Sequence, residues 1–208
     1  MDPEKLVSIY GGTFSRELGI DLSGRCGEEI FRWLVASILF GARISWKVAE
    51  KSWRSLDRHS LLSAHALAFS KEDALIRALD EGGYARYDNR TAAKLREASK
   101  TLIERYESDP EILHERASDH IDLERRIMAL AGGIGPLTAE IFLREMRGIW
   151  EKAQPPLSEF AFREAKSLGL LPEGIADRRL ALELLPAASD LNEVEAALIR
   201  KRLAERHS

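Results

Sequence analysis

Apolar residues in this chain recur at helical spacing and almost never alternate. From Glu28 to Phe40 they occupy most of the circumference (Ile30, Phe31, Trp33, Leu34, Val35, Ile38, Leu39), which predicts a central, buried helix ended by Gly41. Ser45 is a good N-cap for a second helix over Trp46 to Asp57, with Ala49, Trp53 and Leu56 facing the core. A short helix is expected at Leu61 to Ala68. Another runs from Lys71 to Leu79, with Ser70 as its cap and Gly82-Gly83 as its stop. Ala92, Leu95, Ser99, Leu102 and Tyr106 mark one face of a long helix that starts at Asp88 or Asn89.

Beyond it, Asp109-Pro110 opens a turn or short helix, and Asp122 to Leu130 reads as helical. A glycine turn follows, then a helix from Leu137 to about Arg147. Pro155-Pro156 marks a break. Ser158 can cap a helix to Leu168 with Gly169 at its end, and the last helix spans Leu191 to Arg206. Sustained period-two alternation is missing, so strands are not expected. The fold class is therefore all-α, with about ten helices and short connections. The division expected is a helical block over 26–140, with 1–25 and 141–208 packing together as a second layer.

Composition narrows the chemistry. Hydrophobic residues make up 45% and charged residues 31% of the 208, as in an ordinary globular protein. The most apolar window, Ile30 to Gly41, is too short to cross a membrane and carries Arg32. No basic segment followed by an apolar run opens the chain, so a cytoplasmic location is expected. Cys26 is the single cysteine, which excludes an internal disulfide and any cluster built on four cysteines. The five histidines lack zinc-enzyme spacing, and no metal site is expected. A net charge of −3 gives no global attraction to nucleic acid, so any such binding needs a local patch.

One stretch stands out: "GGIGPLTAEIF", Gly132 to Phe142. Gly133 and Gly135 permit positive φ on both sides of the apolar Ile134. The backbone N–H groups that follow open a helix and lack intrahelical acceptors, which suits a phosphate oxygen. Thr138 can add a hydroxyl, and Ala139 lets another helix approach closely. A tight connection between two helices is the plainer explanation for a lone Gly-x-Gly.

Context favours the phosphate. An apolar helix, Gly-Ile-Gly, two residues, Thr-Ala and a second apolar helix resemble the helix-hairpin-helix of the endonuclease III superfamily of DNA glycosylases. "FRWLVASILFGARIS" (Phe31–Ser45) is similar to that family's first core helix and loop. "GGYARYDNRTAAKLREASKTLIERY" (Gly82–Tyr106) is similar to its glycine–aromatic–long-helix segment. "PPLSEFAFREAKSLGL" (Pro155–Leu170) is similar to the segment after the hairpin helix. The resemblance covers most of the chain, in the family's order. It implies an endonuclease III-like helical fold, a DNA-binding cleft between two helical parts, and double-stranded DNA as partner. It also suggests a monovalent cation at the hairpin.

Position by position, the chain departs from the family. The nucleophilic lysine of bifunctional members falls on Leu137, which has no amine to form a Schiff base. Lys152 and Lys166 are near in sequence but do not match the position. The catalytic aspartate falls on Ser158, which can cap a helix but carries no charge. Glu159 is the one neighbouring carboxylate in sequence. The four cysteines of the iron–sulfur cluster are missing, so no cluster and no other cofactor is expected.

Arg43 falls where the family places a polar side chain into the duplex, opposite a flipped base. Lys47, Lys51, Arg54 and Arg58 then make a basic stripe at i, i+4, i+7 and i+11, which is either a phosphate track or a solvated helix face. The residues expected at DNA are Gly133, Ile134, Gly135, Leu137, Thr138, Arg43, Lys47 and Lys51. Trp46, Ser158 and Glu159 are candidates for the cleft. Tyr84 and Tyr87 fall near the family's cleft, whereas Trp33 and Trp53 read as core.

Three functional readings stand. One is a base-excision-repair relative that binds damaged or abasic duplexes with the lysine/aspartate chemistry lost or altered. The others are a monofunctional glycosylase using a non-standard residue, and a helical interaction module without DNA. A monomer is favoured, nucleoid-associated if it binds DNA.

Overall fold

A computed structural model describes residues 2–84, 88–185 and 190–205, apart from the Asp88 side chain. Among these residues every regular element is a helix, so the all-α expectation holds. Tyr87 and Arg206 lie outside the described residues. Two compact units emerge: Ile20–Ala153, and Met1–Gly19 with Gln154–Ser208.

The larger unit holds α3 (Gly27–Phe40), α4 (Trp46–Arg58), α5 (Ala64–Phe69), α6 (Glu72–Glu81) and α7 (Asp88–Tyr106). It continues with α8 (Pro110–Arg116), α9 (His120–Met128) and α10 (Pro136–Met146). Helix α3 is apolar on nearly every side because it packs on α4, α7, α8 and α10 at once. The indole N–H of Trp33 reaches the Phe142 carbonyl at 3.1 Å, and that of Trp53 reaches the Arg32 carbonyl at 3.0 Å. Both tryptophans are therefore core residues, as their patterning predicts. Tyr84 is buried too and accepts a hydrogen bond from Thr91 at 2.8 Å, so it packs rather than faces a ligand.

This unit runs past the expected boundary at residue 140, for a local reason. Trp150 stacks on His114 of α8 (centroids 4.9 Å apart, planes 8° apart) and donates to Glu111 at 2.7 Å. Lys152 donates to the His114 carbonyl at 2.9 Å. Together these tie the segment after α10 to α8.

The smaller unit contains α1 (Pro3–Tyr10), α2 (Phe14–Glu17), α11 (Glu159–Ser167), α12 (Arg178–Leu184) and α13 (Leu191–Glu205). Helix α13 is buried on most sides because α1 packs on it and α11 packs on it as well. Lys201 of α13 pairs with the fully buried Glu164 of α11.

Thirteen helices among the described residues exceed the expected ten. Those missed are short: α1 is opened by Asp2-Pro3, α2 by Thr13 and α12 by Asp177. Ser70 does not cap α6. Its hydroxyl donates back to the Leu67 carbonyl of α5 at 3.2 Å, and Lys71 occupies the N-cap without a side-chain bond.

Candidate nucleic-acid interface

Helix α9 starts under a real cap, with Asp119 accepting the Asp122 N–H at 2.8 Å. Buried Leu130, Ala131 and Ile134 then pin the turn to the core. Gly133 has φ +82°, a left-handed conformation that favours glycine. Gly135 does not follow the expectation of positive φ. It is extended (φ −111°, ψ −179°), and a Cβ there would meet nothing within 4 Å. Neither backbone nor packing therefore demands glycine at 135.

Gly135 is the N-cap of α10 and offers no side-chain hydrogen bond to it. Pro136 has no N–H, so the Leu137 and Thr138 N–H groups are the first-turn donors left without an acceptor among the described residues. The helix opens with its positive end unanswered by any side chain among the described residues.

The Thr138 side chain is buried rather than turned outward. Its hydroxyl lies so close to Gly41 that a Cβ on Gly41 would overlap it. The hydroxyl expected at a phosphate thus serves instead as a packing contact where α10 meets the end of α3. This contact joins the first turn of α10 to the loop that carries Arg43.

Arg43, Lys47 and Lys51 are exposed, and none pairs with a carboxylate among the described residues. The stripe changes character further along α4. Arg54 pairs with Glu50 at 3.0 Å, and Arg58 faces Glu81 at 3.9 Å. Along α4, the charges without a carboxylate partner among the described residues, Lys47 and Lys51, lie in its first half, on the side of Arg43. Trp46 is partly exposed there, with the Lys47 ammonium 5.9 Å from its ring centre.

Leu137 projects from the hairpin with 55% of its surface exposed. Lys152 and Lys166 are both engaged elsewhere, Lys166 by donating to the Ile175 carbonyl at 3.0 Å.

Ser158 belongs to the smaller unit. It is buried and caps α11 by accepting the Ala161 N–H at 3.4 Å. Its own N–H donates to Glu195 Oε1 at 2.8 Å, and Glu195 is fully buried. Glu159 turns to solvent, where it holds Arg163 at 2.6 Å and lies 4.0 Å from Arg178.

Two residues of this architecture were not legible in the chain. Glu195 sits among Val194, Ala196, Ala197 and Leu198, and that apolar company is the one signal that it is buried. Lys94 lies against Gly133, with its Cε 3.3 Å and its Nζ 3.6 Å from where a Cβ would stand. Nothing in the local sequence marks that contact. Among the described residues, no group of three or more His, Cys, Asp or Glu could hold a metal ion. No described helix is long and apolar enough to cross a membrane.

No protein-family model matches the chain, and no curated protein matches it significantly. A solved structure does: the H. pylori 3-methyladenine DNA glycosylase (MagIII) bound to 1,N6-ethenoadenine. It is 14% identical with a TM-score of 0.55, and the match covers 100% of this chain and 99% of that one. At that identity the likeness is one of fold, and the chain has the all-helical fold of a helix-hairpin-helix DNA glycosylase along its whole length.

Proposed function

We propose that this protein binds duplex DNA, with a preference for damaged or abasic sites, through the hairpin before α10. It does so without the lysine/aspartate chemistry of base excision. The observation that carries this is Gly135. It leaves an open, uncapped, positive helix end where the fold itself has no use for a glycine. The loop bearing Arg43 is packed against the same turn through Thr138 and Gly41, which adds cations that have no carboxylate partner among the described residues. The loss of standard chemistry is supported by Leu137, by the capping role of Ser158 and by the outward, arginine-paired Glu159.

The test is an anisotropy titration with intact, abasic and alkylated duplexes over a range of salt. Arg43, Lys47 and Lys51 by themselves predict a log K against log salt slope of about −2.7. No salt-dependent binding at low ionic strength would sink the proposal and favour an interaction module. The fold match to a glycosylase keeps a second reading, base release by another residue. A lesion panel decides it, since release that survives in Glu159→Gln would remove Glu159 from any mechanism.

A further inference from the structure

We infer that Lys94 is a phosphate-contacting residue of the hairpin, supplying from α7 the cation that the hairpin itself lacks. The inference rests on the proposal that DNA binds at this turn. The end of the Lys94 side chain lies over Gly133, two residues before the N-cap of α10. Lys94 is partly buried, and no carboxylate pairs with it among the described residues. Glu97 is one turn further along α7, yet it lies near Gly132 and forms no ion pair with Lys94.

This is an unfavourable placement for the protein alone. The ammonium lies on the turn that leads into the positive end of α10, with no carboxylate paired to it among the described residues. An ammonium withdrawn from water with no partner is costly. Burial accordingly pushes the Lys94 amine below the ordinary lysine value. An anion held at this turn would give the ammonium a partner and the opening of α10 an acceptor. A phosphodiester fits that need, because its oxygens accept from backbone donors and from an ammonium at the same time.

The close packing on Gly133 also gives that glycine a second reason to lack a side chain. A Cβ at 133 would press on the Lys94 stem at 3.3 Å. The bare turn leaves the lysine room to lie flat along the hairpin.

The experiment uses the full chain and a short duplex with one tetrahydrofuran abasic analogue, titrated over a salt series. Lys94→Met keeps the apolar stem and removes the charge. It should make the log K against log salt slope about 0.9 shallower and weaken binding at low salt. Lys94→Arg should keep the wild-type slope. The melting temperature of Lys94→Met should stay level or rise, since a partly buried charge without a carboxylate partner among the described residues is gone. A second readout is NMR of ¹³C-dimethylated lysines, with the Lys94 signal identified by its loss in Lys94→Met. Adding duplex should shift that signal and raise its titration midpoint. A wild-type slope in Lys94→Met, or an unmoved Lys94 signal, would overturn the inference while leaving DNA binding intact. No binding by the wild-type chain would overturn both.

Discussion

Helices α10 and α11 open in opposite ways. The N-terminus of α11 is closed from within: Ser158 accepts the Ala161 N–H, and the buried Glu195 takes the Ser158 N–H. The N-terminus of α10 is left open, with a glycine at the cap, a proline after it and two N–H donors that find no acceptor among the described residues. Capping by Ser or Asp stabilises a helix by about 1 kcal/mol over a residue that cannot cap. The α11 end has that stabilisation and the α10 end forgoes it. Under the proposed function, DNA would be held where α10 starts, and α11 starts at the position where the family resemblance expects a catalytic carboxylate. On that reading the contrast separates binding from chemistry. The open end can take an outside anion, whereas the closed end is held by the protein's own side chains.

The largest expected effect comes from closing the open end. Gly135→Asp fits sterically, since its Cβ meets nothing within 4 Å and its φ is one that any residue adopts. The new carboxylate would cap α10 and raise stability by about 0.5–1 kcal/mol. It would also stand where a phosphate is proposed to sit, and like charges facing each other cost several kcal/mol. Duplex affinity should fall by about a hundredfold while the melting temperature rises. Unchanged affinity in a more stable protein would show that the α10 end holds no DNA.

Opening the closed end is the reciprocal change. Glu195→Ala leaves the buried Ser158 N–H without its acceptor, at a cost of about 1–3 kcal/mol. Glu195→Gln keeps a carbonyl acceptor there and should cost less. Neither change should alter the salt slope of duplex binding below the melting transition. If Glu195→Gln binds duplex normally but abolishes some measured base release, α11 would have to be read as a chemical site after all.

The stripe on α4 allows a gentler comparison within one helix. Lys47→Ala and Lys51→Ala each remove an unpaired charge and should make the salt slope about 0.9 shallower. Arg54→Ala removes a charge already held by Glu50, 3.0 Å away, and should leave the slope nearly unchanged. Equal effects at all three positions would mean that the whole helix face tracks the backbone.

Much of this was legible because helix periodicity and capping are local. The buried faces of α3 and α7, the Ser45 and Ser158 caps and the glycine stop at Gly41 can all be read from near neighbours in the chain. Short helices such as α2 and α12 were not, since four to seven residues carry too little periodicity. The site was legible only in part. A Gly-x-Gly pattern cannot say that one glycine is left-handed and the other extended. Nor can it say that Thr138 packs inward on Gly41, that Glu81 neutralises the end of a basic stripe, or that Lys94 lies over Gly133. Each of those is a contact made across distant segments, and charge on a helix face has meaning only once its tertiary partners are known.

The smallest effect concerns Leu137, and it tests the open end without touching its donors. At 55% exposed, the side chain gives the folded protein little, so Leu137→Ala should change stability by no more than about 0.5 kcal/mol. An apolar side chain held at the mouth of an anion site should instead act on the complex, where it can pack on the sugar edge and exclude water from the phosphate contacts. Withdrawing part of its area from water is worth about 1 kcal/mol. Duplex affinity should therefore drop several-fold in Leu137→Ala with the salt slope intact, because no charge has been removed. A change in slope would instead mean that the leucine shapes how the ionic contacts form. No change in affinity would place Leu137 outside the complex and confine the interface to the backbone donors and the cations around them.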